Sequence, residues 1–128
     1  GRSPFDAALR RYVDLLTADG ALEVELDIDA HISLGPDEQI ELFRIVQEGL
    51  ANVRKHAEAM TAEVMIAERA GQRVVRIRDD GDGFDEASRR AGQGLKNIRA
   101  RAASIDGGLT LTSWPGSGTE VEIVLRAS

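Results

Sequence analysis

The spacing of the apolar residues switches along the chain between a helical repeat and strict alternation. Apolar residues three or four apart from Phe5 to Leu16 predict a helix, and alternation from Leu22 to Ile28 predicts a strand with one wet face. Pro36 suits the first position of a second helix. The apolar stripe of that helix is Leu42, Ile45, Val46, Gly49, Leu50 and Val53.

The second half of the chain contains four shorter strand patterns and one more helix. Leu95, Ile98, Ala102 and Ile105 form the helical stripe, and Gly107-Gly108 are expected to end that helix. A turn at Pro115-Gly116-Ser117-Gly118 predicts a closing hairpin. The predicted strands are Thr61–Glu68, Gln72–Asp79, Leu109–Ser113 and Glu120–Leu125.

The resulting order is helix, strand, helix, two strands, helix, two strands. Strands that follow one another directly imply hairpins, so a mixed and mostly antiparallel sheet is expected. We expect about three helices to cover one face of this sheet, which gives a two-layer α/β sandwich. The 128 residues fit one domain, 1–128.

The composition excludes several classes of function. A formal net charge of -6 disfavours nucleic-acid binding, which depends on Lys and Arg at phosphates. The chain has no cysteine, which excludes disulfides and thiol chemistry, and its two histidines, His31 and His56, exclude a multi-histidine metal site. No apolar run approaches the roughly 20 residues of a membrane span, so no membrane contact is expected.

Glu48, Asn52 and Lys55 lie on one face of the second predicted helix, at positions i, i+4 and i+7. A carboxylate, an amide oxygen and an ammonium in a row could hold a hydrated Mg²⁺ with its phosphates, since magnesium prefers few protein oxygens. A solvated helix face with ordinary charge pairing is the plainer interpretation of these three residues alone.

Asp79 ends a predicted strand in the sequence Asp-Asp-Gly-Asp-Gly-Phe. Strand parity places its carboxylate on the apolar face with Val75 and Ile77, where we expect it to lack a protein donor and to accept from a ligand such as a purine amino group. Gly81 and Gly83 would let the backbone approach that ligand. A simple acidic turn is an alternative; an EF-hand calcium loop fails because no glutamate stands at its twelfth position.

Two short glycine motifs complete the set. Gly92-Gln93-Gly94-Leu95 opens the third predicted helix, where backbone N–H groups could face an anion. Thr119, after Gly118, places a hydroxyl at the edge of an apolar strand face and could help to fix the same ligand as Asp79. A loop-to-helix junction and a β-favouring hairpin residue are the respective alternatives.

In this order the motifs resemble those of the GHKL ATPase superfamily, which has the Bergerat ATP-binding fold. The residues within these motifs resemble the NarL-type bacterial sensor histidine kinases more closely still. The run from Gln47 to Ala57 looks like their N box, and the run from Gly94 to Ala102 looks like the segment that follows their ATP lid.

The resemblance implies ATP and Mg²⁺ as ligands and a role for each matching residue. Glu48 would act near the γ-phosphate, Asn52 would ligate Mg²⁺ and Lys55 would meet phosphates. Asp79 would accept from the adenine amino group. The remaining nucleotide-binding residues would be Gly81, Gly83, Gly92, Gly94, Leu95 and Thr119. The stretch Asp85–Ala91 would be a short ATP lid, and His56 is interpreted as structural.

The resemblance also implies partners outside these residues. The phosphoacceptor histidine would lie on an upstream dimerisation domain, because His31 lacks the acidic residue that follows the family's acceptor and is interpreted as a surface residue. A response regulator would receive the phosphate from the full-length protein, a homodimer, and this domain would be cytoplasmic. Alternatives are an anti-sigma-type serine kinase and a non-catalytic ATP-dependent signalling module.

Overall fold

A computed structural model describes residues 3–56, 60–81, 92–114 and 116–126. Gly83 and the expected lid at Asp85–Ala91 lie outside these residues. The elements are α1 Pro4–Leu16, β1 Glu23–Ile28, α2 Pro36–His56, β2 Thr61–Arg69, β3 Gln72–Asp79, α3 Gly92–Ser104, β4 Gly107–Trp114 and β5 Gly118–Leu125. No helix in the described ranges has the length and apolarity needed to cross a membrane.

The strands form one five-stranded sheet in the order β1-β2-β3-β5-β4. β1 and β2 run parallel and are connected through α2, whereas every other neighbouring pair is antiparallel. The predicted mixed, mostly antiparallel sheet is therefore confirmed. β3 lies at the centre, so both of its neighbours fix its register.

The sheet has one apolar face and one charged face. Val64, Ile77 and Val121 lie side by side across three strands, and all three are buried in the core. The helices supply the other half of this core, through residues such as Leu9, Leu50 and Ile98. The next register position carries Glu63, Arg78 and Glu120 on the opposite face. The predicted two-layer sandwich is confirmed.

The start of α2 is tied to the start of β3 by a partly buried ion pair between Glu38 and Arg73. Glu38 also accepts from the backbone N–H of Gly35 at 2.8 Å, which caps the helix. Burial tends to raise the pKa of Glu38, but the hydrogen bonds from Arg73 and Gly35 outweigh it and lower that pKa. Arg73 further donates to the carbonyl oxygens of Ser33 and Arg126. One guanidinium thus joins α2, β3 and the end of β5.

The expectation that Gly107-Gly108 end α3 is wrong. The helix ends at Ser104, Asp106 takes the left-handed conformation with φ 56°, and both glycines belong to β4. A Cβ on Gly107 would lie 2.9 Å from Ile123 Cγ2 and 3.2 Å from the carbonyl oxygen of Ala102. Gly107 therefore permits close packing of the strand, and Asp106 makes the turn.

Gly118 brings the start of β5 onto the end of β3. Its φ is +111°, and a Cβ there would lie 2.1 Å from the carbonyl oxygen of Asp79. Backbone conformation and space both require glycine at this position.

We expect Gly118→Ala to lower the free energy of unfolding by more than about 3 kcal/mol, because strain and overlap add. Two glycines of the same hairpin are matched controls. Gly116→Ala meets only backbone strain at φ +81° and should cost about 1–2 kcal/mol. Gly108→Ala enters open space and should stay within about 0.5 kcal/mol. Urea unfolding of the three variants checks the order, and equal costs would contradict the close approach.

Candidate functional site

Four chain segments meet at one end of the sheet. α3 runs antiparallel to α2, because Asn97 in its first half contacts Glu48 while Arg101, about one turn further along, contacts Glu41. The end of β3 pairs with the start of β5 through Asp79 and Thr119. The C-terminal half of α2, the end of β3 and the starts of α3 and β5 therefore share this end.

α2 approaches β3 unusually closely at Gly49. A Cβ at that position would lie 2.7 Å from Ile77 Cδ1, so any larger residue would push the helix or Ile77 away. The contact lies two residues before the end of β3. Gly49 thereby sets the height of the Glu48 and Asn52 side chains above the strand that carries Asp79.

Glu48 and Asn52 flank the buried stripe of α2 and are both half-buried. Glu48 Oε1 accepts a hydrogen bond from Asn97 Nδ2 at 3.2 Å. Near the same place, the hydroxyl of Tyr12 in α1 donates to the carbonyl oxygen of Gln47 at 3.2 Å. Burial, and to a smaller extent the charge of Glu48, raises the pKa of Tyr12. The structure describes the helical backbone of Lys55 but not its side chain.

Asp79 is a buried carboxylate, 7% exposed, on the apolar face of β3 as strand parity predicted. The expectation that it lacks a protein donor is wrong, because the backbone N–H of Gly81 donates to Oδ1 at 2.8 Å. Burial raises the pKa of Asp79, and the charge of Asp80 adds to this. Backbone hydrogen bonds from Gly81 and Thr119 oppose both effects. Asp79 is thus held in place while remaining costly to ionise.

Asp80 points away from Asp79 and has a different task. It accepts from the backbone N–H groups of Met60 and Thr61, both at 2.9 Å, and from the Thr61 hydroxyl at 2.8 Å. These hydrogen bonds, chiefly those from Thr61, lower the pKa of Asp80. Asp80 fixes the start of β2. Sequence reasoning missed this role, although strand parity already placed adjacent carboxylates on opposite faces.

Thr119 is half-buried at the edge of the apolar face, and its hydroxyl lies 3.3 Å from the hydroxyl of Ser113 on β4. Ser113 was not predicted to belong to the site. The hairpin turn contains the signal, since counting back from Gly118 across the turn pairs Ser113 with Thr119. The hydroxyls of Thr119 and Ser113 therefore lie on the two strands that follow β3 in the sheet order, β5 and β4, beside the end of β3 that carries Asp79.

The glycine motifs are only partly described. Gly81 is buried beside Asp79, and Gly92 and Gly94 lie in the first turn of α3, where helix N–H groups have no partner within the helix. Leu95 is half-buried and packs against the core. His31 is exposed in the turn after β1, as predicted. The arrangement offers a carboxylate acceptor, helix-end donors and oxygen ligands at one end of the fold.

Comparisons with known proteins connect this arrangement to one family. The family profile described as histidine kinase-, DNA gyrase B- and HSP90-like ATPase matches residues 37–128. The signal transduction histidine-protein kinase/phosphatase DegS of Brevibacillus brevis is 40% identical over 86 residues, which cover 66% of this chain and 22% of DegS. The sensor histidine kinase LiaS of Bacillus subtilis is 35% identical over 104 residues, which cover 80% of this chain and 28% of LiaS.

A solved structure shares the fold. The histidine kinase domain of the blue-light activated kinase from Erythrobacter litoralis EL346 superposes with a TM-score of 0.81 at 24% identity, covering 96% of this chain and 61% of that one. The chain spans about a quarter of the length of DegS and LiaS.

We expect Asp79→Asn to raise the free energy of unfolding at neutral pH. The folded state holds the Asp79 proton more tightly than the unfolded state, so ionisation costs stability as the pH rises through the raised pKa. Asparagine removes this penalty and keeps an oxygen for the Gly81 N–H. The gain should vanish as the pH falls toward about 4, where the unfolded carboxyl also becomes protonated.

The neighbouring carboxylate is the matched control for this measurement. The pKa of Asp80 is lowered, so its charge stabilises the fold above the unfolded pKa, and this stability is lost as the pH falls through the folded pKa. Asp80→Asn should therefore destabilise at neutral pH. Urea unfolding at several pH values decides the signs; a stability difference for Asp79→Asn that does not change with pH would contradict the burial penalty.

Proposed function

Because the chain belongs to the family of histidine kinase-, DNA gyrase B- and HSP90-like ATPases, we propose that it binds Mg-ATP and transfers the γ-phosphoryl group to a histidine. The acceptor would lie on a dimerisation domain of a two-component sensor kinase. One observation carries the proposal: the buried Asp79 carboxylate stands at the end of the fold where the Glu48–Asn52 face meets the start of α3. Similarity to DegS and LiaS supports the kinase class.

Asp79 suits an adenine amino group. It is fixed by backbone donors, faces the apolar core side of the sheet and has little water around it. A desolvated acceptor discriminates strongly, since a wrong partner leaves a buried polar group unpaired. Thr119 and Ser113 would support the same ring through hydroxyl contacts or a water. Gly81 would let the backbone approach the base.

The other end of the nucleotide would meet α2 and α3. The Asn52 amide oxygen fits a magnesium ion that retains waters and phosphate oxygens, and the Glu48 carboxylate lies one helical turn away from Asn52. Lys55 and the N–H groups of Gly92 and Gly94 would bind the phosphates. In the proposed transfer, the bond between the γ-phosphorus and the ADP oxygen would break as a bond to an imidazole nitrogen forms. The chain contributes position and charge, which dominate phosphoryl transfer.

Glu48 would receive or orient the proton of the acceptor imidazole. It is half-buried and its Oε1 is already held by Asn97, so its other oxygen can face the reacting groups. A module that only binds ATP has no need for a carboxylate fixed in this way. This observation favours transfer over binding alone. The similarity to DegS and LiaS supports a histidine kinase over a serine kinase.

The proposed setting is a longer sensor kinase that acts as a homodimer. Its upstream domain would carry the acceptor histidine, and a response regulator would take the phosphate to an aspartate. We place the domain in the cytoplasm, where ATP is available. Nucleic acid has no part in the proposal, since the chain carries a formal charge of -6.

We expect Asp79→Asn to weaken ATP binding by about ten- to a hundred-fold, because a donor would replace one acceptor oxygen opposite the adenine amino group. GTP, which has a carbonyl at that ring position, should bind the wild type poorly for the mirror-image reason. Calorimetry with both nucleotides measures this, and the urea experiment confirms the fold. Equal affinity of the wild type for ATP and GTP would rule out Asp79 as the adenine reader.

We expect Asn52→Ala to reduce magnesium-dependent phosphoryl transfer far more than nucleotide binding without metal, because it removes one neutral oxygen ligand. The assay measures the transfer of label from radiolabelled ATP to a dimerisation domain that carries its acceptor histidine. It uses the wild-type or the variant domain. The domain alone should bind Mg-ATP but incorporate no label at His31 or His56. Label transferred to serine instead would indicate the serine kinase, and binding without any transfer would indicate the signalling module.

A further inference from the structure

Among the residues that the structure describes, one polar bridge between α2 and α3 lies at the candidate site and another lies away from it. At the site, Asn97 Nδ2 donates to Glu48 Oε1 at 3.2 Å. Two helical turns further from the site, Glu41 accepts from Arg101 at 3.1 Å and from the Ser104 hydroxyl at 3.2 Å. The two bridges have different chemistry: the distant one pairs its carboxylate with a guanidinium, whereas the near one pairs Glu48 with a neutral amide.

We propose that Asn97 is a positioning residue that holds the Glu48 carboxylate for phosphoryl transfer. The proposal rests on the proposed function and assigns a residue that sequence reasoning did not select. A neutral amide donor fixes one carboxylate oxygen without cancelling its charge. The second oxygen then has a defined direction toward the acceptor imidazole or the γ-phosphate. A lysine or arginine at position 97 would hold Glu48 equally well but would neutralise it.

Asn97 projects from a helix whose core-facing side chains are tightly buried. Ile98, the next residue, is fully buried, and Ala102 is 1% exposed, so the face of α3 that meets the core is fixed. In α2, the absence of a side chain at Gly49 lets the helix pack closely against Ile77. Both partners of the hydrogen bond therefore project from helices seated on one core. Positioning shells of this kind hold reacting groups within fractions of an ångström.

Asn97 also connects Glu48 to the proposed phosphate-binding turn. It follows Gly94 by three residues, which is about one helical turn. The carboxylate thus takes its position from the helix whose first N–H groups would bind the phosphates. A shift of the start of α3 would move the Glu48 carboxylate as well, so phosphate binding and Glu48 placement depend on the same element.

The kinetic test compares three variants in the transfer assay. Asn97→Ala should lower kcat by about 10- to 100-fold, the cost of a misplaced catalytic group, while ATP affinity changes by less than about twofold. Asn97→Asp has the same shape but no donor and adds a like charge beside Glu48, so its kcat should fall at least as far. Arg101→Ala breaks the distant bridge between the same helices and should leave kcat unchanged.

A double variant separates positioning from helix packing. Asn97→Ala introduced into Glu48→Gln should cause no further fall in kcat, because the group that Asn97 positions is already lost. Additive losses, or an equal loss in Arg101→Ala, would overturn the proposal and indicate a packing role. Rescue of kcat by Asn97→Asp would do the same, since that variant restores shape alone.

A spectroscopic measurement on this domain does not depend on catalysis. The side-chain amide signals of Asn97 in a ¹⁵N-resolved proton spectrum should shift when Glu48 becomes Ala and stay in place when Glu41 becomes Ala. Unchanged signals in Glu48→Ala would overturn the proposal whatever the kinetics show. If Glu48→Ala shifts these signals but the wild type binds Mg-ATP and transfers no phosphate, the proposed function is refuted and only the contact between Asn97 and Glu48 remains.

Discussion

The packing of α2 across the central strand β3 is the contact on which the site depends. The apolar stripe of α2 is buried over its whole length, and Gly49 lets the helix settle against Ile77. Because 3.6 residues make one turn, Glu48 and Asn52 then stand beside that stripe rather than on the far, solvated side. At the start of α2, the Glu38–Arg73 ion pair fixes the position of the helix relative to β3. Core packing and site geometry are therefore one constraint.

Much of this could be predicted from the sequence, because periodicity reports which residues face the core. The parity of β3 alone placed Asp79 on the buried face, and helical spacing placed Glu48 and Asn52 together. What remained hidden were contacts between distant segments. Asn97 and Glu48 are 49 residues apart in the chain, and Asp80 reaches back 19 residues to Thr61. Local spacing contains no information about such pairs, since they depend on how helices and strands are finally stacked.

The errors have the same origin. Gly107 was interpreted through the usual preference for glycine after a helix, yet its neighbours across the sheet, Ile123 and Leu125, determine the need for glycine. The donors to Asp79 were missed because they are backbone N–H groups, which the sequence of side chains does not display. Backbone groups at turns satisfy many buried carboxylates. A sequence therefore identifies a buried acid more readily than it identifies its partners.

The burial of Asp79 affects stability and would also affect which ligand the proposed site accepts. A carboxylate at the surface would ionise at little cost in free energy. It could also replace a ligand by water with little loss of binding free energy. Asp79 is costly to ionise because it is desolvated, and the two backbone hydrogen bonds hold it without neutralising it. A ligand donor that reaches it recovers part of this cost, whereas a ligand acceptor adds to it. At the proposed adenine site, this penalty would therefore favour a purine with an amino group at the ring position facing Asp79 over one with a carbonyl there.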